Sequence, residues 1–367
     1  MSVAIYRKYR PKSFGDLLGQ EHIIEILKNA AIRDRIAHGY LFYGTRGSGK
    51  TTVARILAKV ANCETRAKDK KFHDKGEPCN TCPRCIELDE GRALDVVEID
   101  AASNRGIDEI RSLKESVRLS PTVAKHKIYI IDETHQLTKE AFNALLKTLE
   151  EPPAHAIFIL ATTEFEKVPA TISSRTQRFH FKKLPIESII KKLETISKTE
   201  KMDIEKDAIE LIAAVADGSF RDAETLIDQI TSLEDKVTVE SVEKIIGKVG
   251  FTRIAELAGF ILENDLNKSL EYIATFQNNG LNIVDLAKEL IHYLRRALAL
   301  KADPKLEEIF KNDLTERERE TLKSHSEKIN PEKHISLIRD LIRSYSDMRY
   351  SPFASIPLEV TLIEHLK

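Results

Sequence analysis

Two stretches of this 367-residue chain carry residues whose types and spacing suit phosphate chemistry. The first is Gly44-Thr45-Arg46-Gly47-Ser48-Gly49-Lys50-Thr51-Thr52. It fits the phosphate-loop pattern, a glycine, four residues and then Gly-Lys-Thr. Its glycines let backbone N–H groups converge on a polyphosphate. Lys50 is suited to the β- and γ-phosphates, and the Thr51 hydroxyl to Mg²⁺. The second stretch is Asp132-Glu133, two acids that close an apolar run. Asp132 is expected to hold Mg²⁺ through water, and Glu133 to orient and activate the attacking water.

A third stretch, "GEPCNTCPRC" (76–85), holds three of the four cysteines, Cys79, Cys82 and Cys85; the fourth is Cys63. Four thiolates at this spacing can surround a tetrahedral Zn²⁺. With every position filled by protein, such a site is structural. Cys63 closes the phosphate-loop helix, so the metal would staple an insertion, residues 63–86, to the core. Lys68, Lys70, Lys71 and Arg84 are placed to offset the anionic site, and His73 is an alternative ligand. An iron–sulfur cluster is the rival, but no Cys-Pro element follows Cys85.

These residues need elements to hold them. Tyr40–Tyr43 reads as a buried strand, and Val53, Ile56, Leu57 and Val60 recur at helical spacing after the loop. A helix N-terminus there adds its positive dipole end to the phosphate site. Further strands are expected at 94–100, within 127–135 (an apolar run ending in Asp132-Glu133), at 156–163 and at 178–181. A helix at 139–151 should stop at Pro152-Pro153. Strands alternating with helices predict an α/β fold with a parallel sheet.

Two arginines stand at predicted helix starts. Ser219 and Asp222 form a Ser-x-x-acid pattern that puts Arg221 in a first turn. A cation there opposes the helix dipole by a few tenths of a kcal/mol. A bound anion would remove the conflict; pairing with Asp222 or Glu224 is the alternative. Arg105 precedes a helix expected from Ile107, where backbone N–H groups and the guanidinium could together hold a phosphate.

The net charge of −1 gives the whole chain no nucleic-acid signature, yet residues 1–62 hold 11 Lys/Arg against 4 Asp/Glu. A basic segment of this kind is either a phosphate surface or a solvated face. No apolar run approaches the roughly 18–20 residues of a membrane span. The first residues lack the apolar core of a signal peptide, and four cysteines are few for a disulfide framework. A cytoplasmic location is expected.

Taken in order, six stretches carry a family resemblance: "YRKYRPKSFGDLLGQE" (6–21), "GTRGSGKTT" (44–52), "EIDAASNRGIDEIR" (98–111), "IIDETHQLTKEAFNALLKTLEEPP" (130–153), "LATTEFEKVPATISSRTQRF" (160–179) and "GSFRDAETLIDQ" (218–229). The chain resembles the gamma/tau subunits of the bacterial DNA polymerase III clamp loader, which are AAA+ ATPases. The resemblance implies that Arg175 is an arginine finger acting in trans on the ATP site of a neighbouring subunit. It implies that Arg221 is sensor 2, meeting the γ-phosphate. It places Thr163 as sensor 1 beside the attacking water, with Thr162 the alternative one residue earlier. Arg10, Pro11 and Leu18 would line the adenine pocket. The chain departs from the family at Thr176, where Cys is usual.

The organisation expected is an AAA+ P-loop ATPase core at 1–180 with the zinc-module insertion, a helical lid at 181–246 and an all-α collar at 247–367. Residues 182–188 read as a linker. The amphipathic stretches from 247 onward carry no catalytic pattern and suit packing or oligomerisation. By resemblance, the cofactors are ATP, Mg²⁺ and Zn²⁺, and the activity is ATP-driven opening and loading of a sliding clamp. The implied partners are delta-type and delta-prime-type loader subunits, copies of the chain itself, the clamp and primer-template DNA, with no membrane. The present acids and Lys50 disfavour a non-catalytic scaffold. The cysteine insertion and "SSRTQRF" disfavour a branch-migration helicase.

Overall fold

The computed structural model describes residues 4–103, 107–246, 249–278 and 281–366, so Arg105 lies outside the described residues. The chain divides into two compact units, one reaching Leu184 and including Ser219–Arg221, the other formed by Pro185–Gly218 and the residues from Asp222 onward.

The first unit is built on five short strands, β1 (Gly39–Gly44), β2 (Val96–Asp100), β3 (Lys127–Asp132), β4 (Ala156–Thr162) and β5 (Gln177–Phe181). They pair in parallel in the order β2-β3-β4-β1-β5. Helices α1 (Glu21–Ile32), α2 (Lys50–Asn62), α3 (Ile107–Arg118) and α4 (Lys139–Glu150) cover the sheet. Alternate strand residues serve opposite faces. Tyr40, Phe42, Ile128, Ile130, Ile157 and Ile159 pack with α1 and α2. Leu41, Tyr129, Ile131, Phe158 and Leu160 pack with α3 and α4. Every residue of β4 is buried, as expected of a central strand covered on both sides.

Strand β2 is shorter than the sequence predicts, because Leu94 and Asp95 stay outside it. The Asp95 carboxylate instead accepts the backbone N–H groups of Thr122, Val123 and Ala124 at 2.7–2.9 Å. Helix α4 is capped by the Thr138 hydroxyl, which accepts from Ala141 N–H, and ends at Glu150 ahead of the two prolines.

The strand order positions the site. β1 lies between β4 and β5, and β3 pairs with β4, so Gly44, Asp132 and Thr162 end neighbouring strands on one edge. Ligands of open α/β sheets bind at the carboxyl ends of the strands, where the strand order reverses.

The second unit is helical: α5 (Ile186–Glu200), α6 (Lys206–Val215), α7 (Phe220–Thr231, whose first two residues group with the first unit), α8 (Val239–Ile246), α9 (Phe251–Leu262), α10 (Leu266–Asn278), α11 (Ile283–Ala302), α12 (Glu316–Glu327), α13 (Pro331–Met348) and α14 (Ile356–His365). Leu286, Leu290, Leu294 and Ala297 recur on one face of α11 and are fully buried among Leu257, Ile261, Leu337, Leu341 and Leu362. Two expectations need correcting. The linker is shorter than 182–188, because buried Ile186 starts α5 directly after Pro185. The lid stretch also contains a parallel pair, Asp203–Ile204 with Lys236–Val237. Its two halves are too far apart in the chain for a helical periodicity to reveal. Among the described residues, no helix is long and apolar enough to cross a membrane.

Candidate active site

The phosphate loop joins β1 to α2. Gly44 (φ +143°), Gly47 (φ +72°) and Gly49 (φ +101°) all hold left-handed or related backbone. At Gly44 a Cβ would lie 2.1 Å from the Phe181 carbonyl oxygen, and at Gly47 it would lie 1.8 Å from Ser219 Oγ. Apart from its chain neighbours, nothing among the described residues lies within 4 Å of a Cβ built at Gly49, the N-cap of α2. That opening at a thirteen-residue helix's N-terminus is the space an anion would fill. Lys50 is buried, and its Nζ donates to the carbonyls of Gly44 and Thr45 at 2.8 Å. Burial pulls its pKa down, opposed by the charges of Glu133 and Asp132.

The two acids meet the loop. Thr51 Oγ1 donates to Asp132 Oδ2 at 2.7 Å. Asp132 Oδ1 accepts the backbone N–H of Glu133 at 2.9 Å, and Glu133 takes a left-handed turn at φ +47°. Thr163 Oγ1 donates to Glu133 Oε2 at 3.0 Å. Thr163 follows β4 rather than ending it. The alternative, Thr162, is fully buried and turned to His135 Nδ1 and the N–H of Glu164, both at 3.0 Å. Of the two threonines, Thr163 is the one bonded to Glu133. A hydroxyl and a carboxylate beside the glycine loop suit a hydrated divalent cation between them and a phosphate.

A set of cations borders the loop in the first unit. The Arg221 guanidinium lies 5.2 Å from the centroid of the Tyr6 ring. Arg10 is half-buried, and burial, then the charge of Arg55, hold its pKa below the ordinary value; Glu98 opposes this and Arg221 adds to it. Arg55 is itself paired with Glu98. Cations gathered this way gain from a bound anion. Pro11 and Leu18 are half-buried on the same N-terminal segment.

Sequence reasoning missed the residue that pins this segment. Gln20 is buried and donates to the carbonyls of Ser48, in the loop, and Lys182, after β5, at 3.4 and 2.8 Å; its Oε1 accepts from Lys182 N–H at 3.2 Å. Tyr6 and His135 were missed as well. No local pattern marks a lone amide whose partners lie 28 and 162 residues away.

Arg175 is set apart from these groups. It follows the short helix Ala170–Ser173, is about a third exposed (33%), and bonds Glu150, the Thr171 carbonyl and Ser174 Oγ. Thr176 takes an internal role, donating to the Ile172 and Ser173 carbonyls at 3.2 and 3.4 Å.

The four cysteines converge. All are free thiols, and their sulfurs lie within 4.8 Å of one another. Zn–S bonds of about 2.3 Å set tetrahedral sulfurs about 3.8 Å apart, so the donor set fits zinc. Backbone N–H groups point at the sulfurs, from Cys79 to Cys63 at 3.4 Å and from Cys82 to Cys79 at 3.2 Å. The Cys85 thiol, and after it backbone N–H groups of Arg66 and Cys79, pull the Cys63 pKa down to about 4. His73 stands outside the cluster, against Asp34 and Arg66. Arg84 is engaged by Glu64 and Glu87, so it is not a free counter-charge. The side chains of Lys59, Arg66 and Glu77 tie the module to its surroundings. Buried Lys59 reaches Asn80 and Asp89 at 2.8 and 2.9 Å. Arg66 reaches the Ala31 carbonyl and Asp34. Glu77 accepts from the backbone N–H groups of Phe14 and Gly15 at 2.8 and 3.1 Å.

Three successive stretches of the chain match family models. Residues 19–185 match the family model described as DNA polymerase III, delta subunit. Residues 188–233 match the DNA polymerase III clamp loader subunit ATPase lid domain, and 237–367 match DNA polymerase III subunits gamma and tau domain III. The chain is 41% identical to DNA polymerase III subunit tau of Bacillus subtilis (strain 168), over 98% of this chain and 62% of that one. It is 37% identical to subunit tau of Escherichia coli (strain K12), over 98% of this chain and 54% of the other. DNA polymerase III subunit gamma of Buchnera aphidicola subsp. Schizaphis graminum (strain Sg) is 34% identical over 98% of this chain and 96% of its own length. The chain thus spans between about half and six-tenths of these tau relatives and nearly the whole of a gamma relative. A glycine loop bonded to an acidic strand end, in a chain matched along almost its full length, places this protein in the DNA polymerase III gamma/tau subunit family.

Proposed function

We propose that this chain is an ATP-hydrolysing motor subunit of a DNA polymerase III clamp loader, using ATP to open a sliding clamp and place it on primed DNA. The observation that carries the reading is the bond of Thr51 to Asp132 at 2.7 Å beside the bond of Thr163 to Glu133 at 3.0 Å. Loop, acidic pair and polar strand-end residue form one set in one place.

In this reading the loop N–H groups from Gly44 to Thr52 bind the phosphates. Lys50 leaves its carbonyl partners for the β- and γ-oxygens. Arg10, Pro11 and Leu18 bind the base, and Arg221 meets the terminal phosphate. Thr51 and Asp132 hold Mg²⁺, which supplies charge neutralisation on the phosphates when bound. Glu133 accepts a proton from the attacking water, with Thr163 orienting its carboxylate. Arg175 leaves Glu150 to act in trans on a neighbour's ATP. Core, lid and collar are assigned to 1–180, 181–246 and 247–367. The collar joins copies of the chain and delta-type and delta-prime-type subunits, and a cytoplasmic location fits. Arg105 remains the candidate for a phosphate of primer-template DNA. The test is an ATPase assay with and without primed DNA, clamp and the other loader subunits. Stimulation only by the complete set is expected; a rate indifferent to all of them would defeat the reading.

The thiol cluster is assigned a structural Zn²⁺. One zinc and no iron per chain is expected from elemental analysis. Thiols must lose their protons to bind it, so chelator should strip it most readily at mildly acid pH. Cys82→Ser should unravel the module, yet leave ATP hydrolysis within about tenfold because loop and acids lie outside it. Cys63→Ser should cost more, since Cys63 caps α2. Full thiol reactivity at all four positions in protein purified without chelator would refute the site.

A further inference from the structure

Glu133 has a second polar neighbour that the proposed reaction leaves unused. The His135 side chain is only 5% exposed. Its Nδ1 lies 3.0 Å from the Thr162 hydroxyl and 3.4 Å from Glu133 Oε2. Its Nε2 lies 3.1 Å from Glu164 Oε1 and 3.0 Å from Gln136 Nε2. The charged groups facing the ring are Glu133 at the end of β3 and Glu164 after β4. Lys167 stands behind Glu164 at 2.8 Å, and Lys50 and Asp132 lie beyond Glu133.

The ring has two arrangements in this cage. Neutral, with its proton on Nε2 and the Gln136 amide turned so that its oxygen rather than its nitrogen faces the ring, it donates to Glu164 and accepts from Thr162 through Nδ1. It then has no proton to offer Glu133, whose carboxylate is left to Thr163 and stays basic toward water. Doubly protonated, it carries a second N–H on Nδ1. The Glu133 carboxylate is a stronger acceptor for it than the Thr162 hydroxyl, which already accepts from Glu164 N–H. A small ring rotation would turn the 3.4 Å separation into a charge-assisted hydrogen bond.

We propose that His135 is a positioning residue that gates Glu133 by its own protonation. Neutral, it leaves the carboxylate free to take the proton of the attacking water; protonated, it ties that carboxylate down. The inference rests on the reading of Glu133 as the group that activates water.

The test is steady-state turnover at saturating ATP and Mg²⁺, over about pH 5.5 to 8.5. It uses the full-length protein assembled with its partner subunits, primed DNA and clamp. The native chain is compared with His135→Gln and Glu164→Gln. Native kcat is expected to fall about tenfold per pH unit below an acid inflection while KM for ATP holds within about twofold. His135→Gln keeps an amide donor toward Glu164 and cannot take up a proton. It should lose the acid limb and match native turnover within about threefold above the inflection. Glu164→Gln removes an anion that favours the protonated ring, so its inflection should move to lower pH. An acid limb unchanged in His135→Gln overturns the proposal, and so does a uniform loss of kcat at every pH, which would mark a merely structural residue. If His135→Gln fails to fold, Glu164→Gln decides, and an unmoved inflection overturns the gate. Glu133→Gln separates the two readings. Full activity there removes Glu133 as the base, whereas its inactivity beside unmoved acid limbs defeats only the role of His135.

Discussion

Lys50→Ala is expected to abolish measurable ATP hydrolysis while leaving fold and thiol cluster intact. The side chain is buried at 6% exposure, at the start of α2, where its charge faces Asp132 and Glu133. Its removal leaves those acids without the cation nearest the phosphate cradle, so ATP should repel them more and bind less tightly. Loss of one preorganised electrostatic contact typically costs about 10²–10³ in rate, and Lys50 also supplies binding. Turnover and ATP affinity by titration would be measured beside circular dichroism. The core should hold, because among the described residues Lys50 donates to the Gly44 and Thr45 carbonyls alone, and a loop can turn these to water. Hydrolysis at the native rate would remove the phosphate-loop assignment.

The second large effect is expected at Arg175. Arg175→Ala should bind ATP nearly normally yet hydrolyse it about 10³–10⁵ times more slowly in the assembled loader, the range for a lost arginine finger. Within the chain, this guanidinium is bonded to Glu150 and to the Thr171 carbonyl, away from Lys50 and Glu133. Action on a neighbour's phosphate therefore requires it to leave Glu150, and Glu150→Gln should ease that release. Mixing wild-type with variant subunits distinguishes the modes. In trans action, a wild-type neighbour restores the site it contacts, whatever the residue at 175 in the subunit that binds the ATP. A lack of any restoration would favour a role in cis.

How much of this was legible depended on how local each feature is. Loop, acidic pair and cysteines are contiguous or nearly so, and their chemistry requires fixed spacings, so the residues could be named from sequence. The five strands were legible because β1, β3 and β4 are almost continuous apolar runs, the pattern of a doubly covered sheet. Contacts made through the sheet were not. Glu133 and Thr163 directly follow neighbouring strands and are 30 residues apart in the chain, and only the pairing of β3 with β4 brings their side chains to 3.0 Å. Gln20 and Lys182 meet across 162 residues. Arg175 meets Glu150 across 25 residues, a pairing that no local pattern marks. The strand pair of Asp203–Ile204 with Lys236–Val237 offered two residues on each side, too few for a period to register.

The most direct test of the central claim is ATP-dependent retention of clamp on primed circular DNA. Labelled clamp, this chain and its partner subunits would be incubated with nicked or gapped circles and separated from free clamp by gel filtration. The account predicts that clamp travels with the DNA when ATP and Mg²⁺ are present, and that Lys50→Ala or Glu133→Gln in every copy of the chain reduces this to background. Native amounts of retained clamp with either variant, or with no nucleotide, would contradict it.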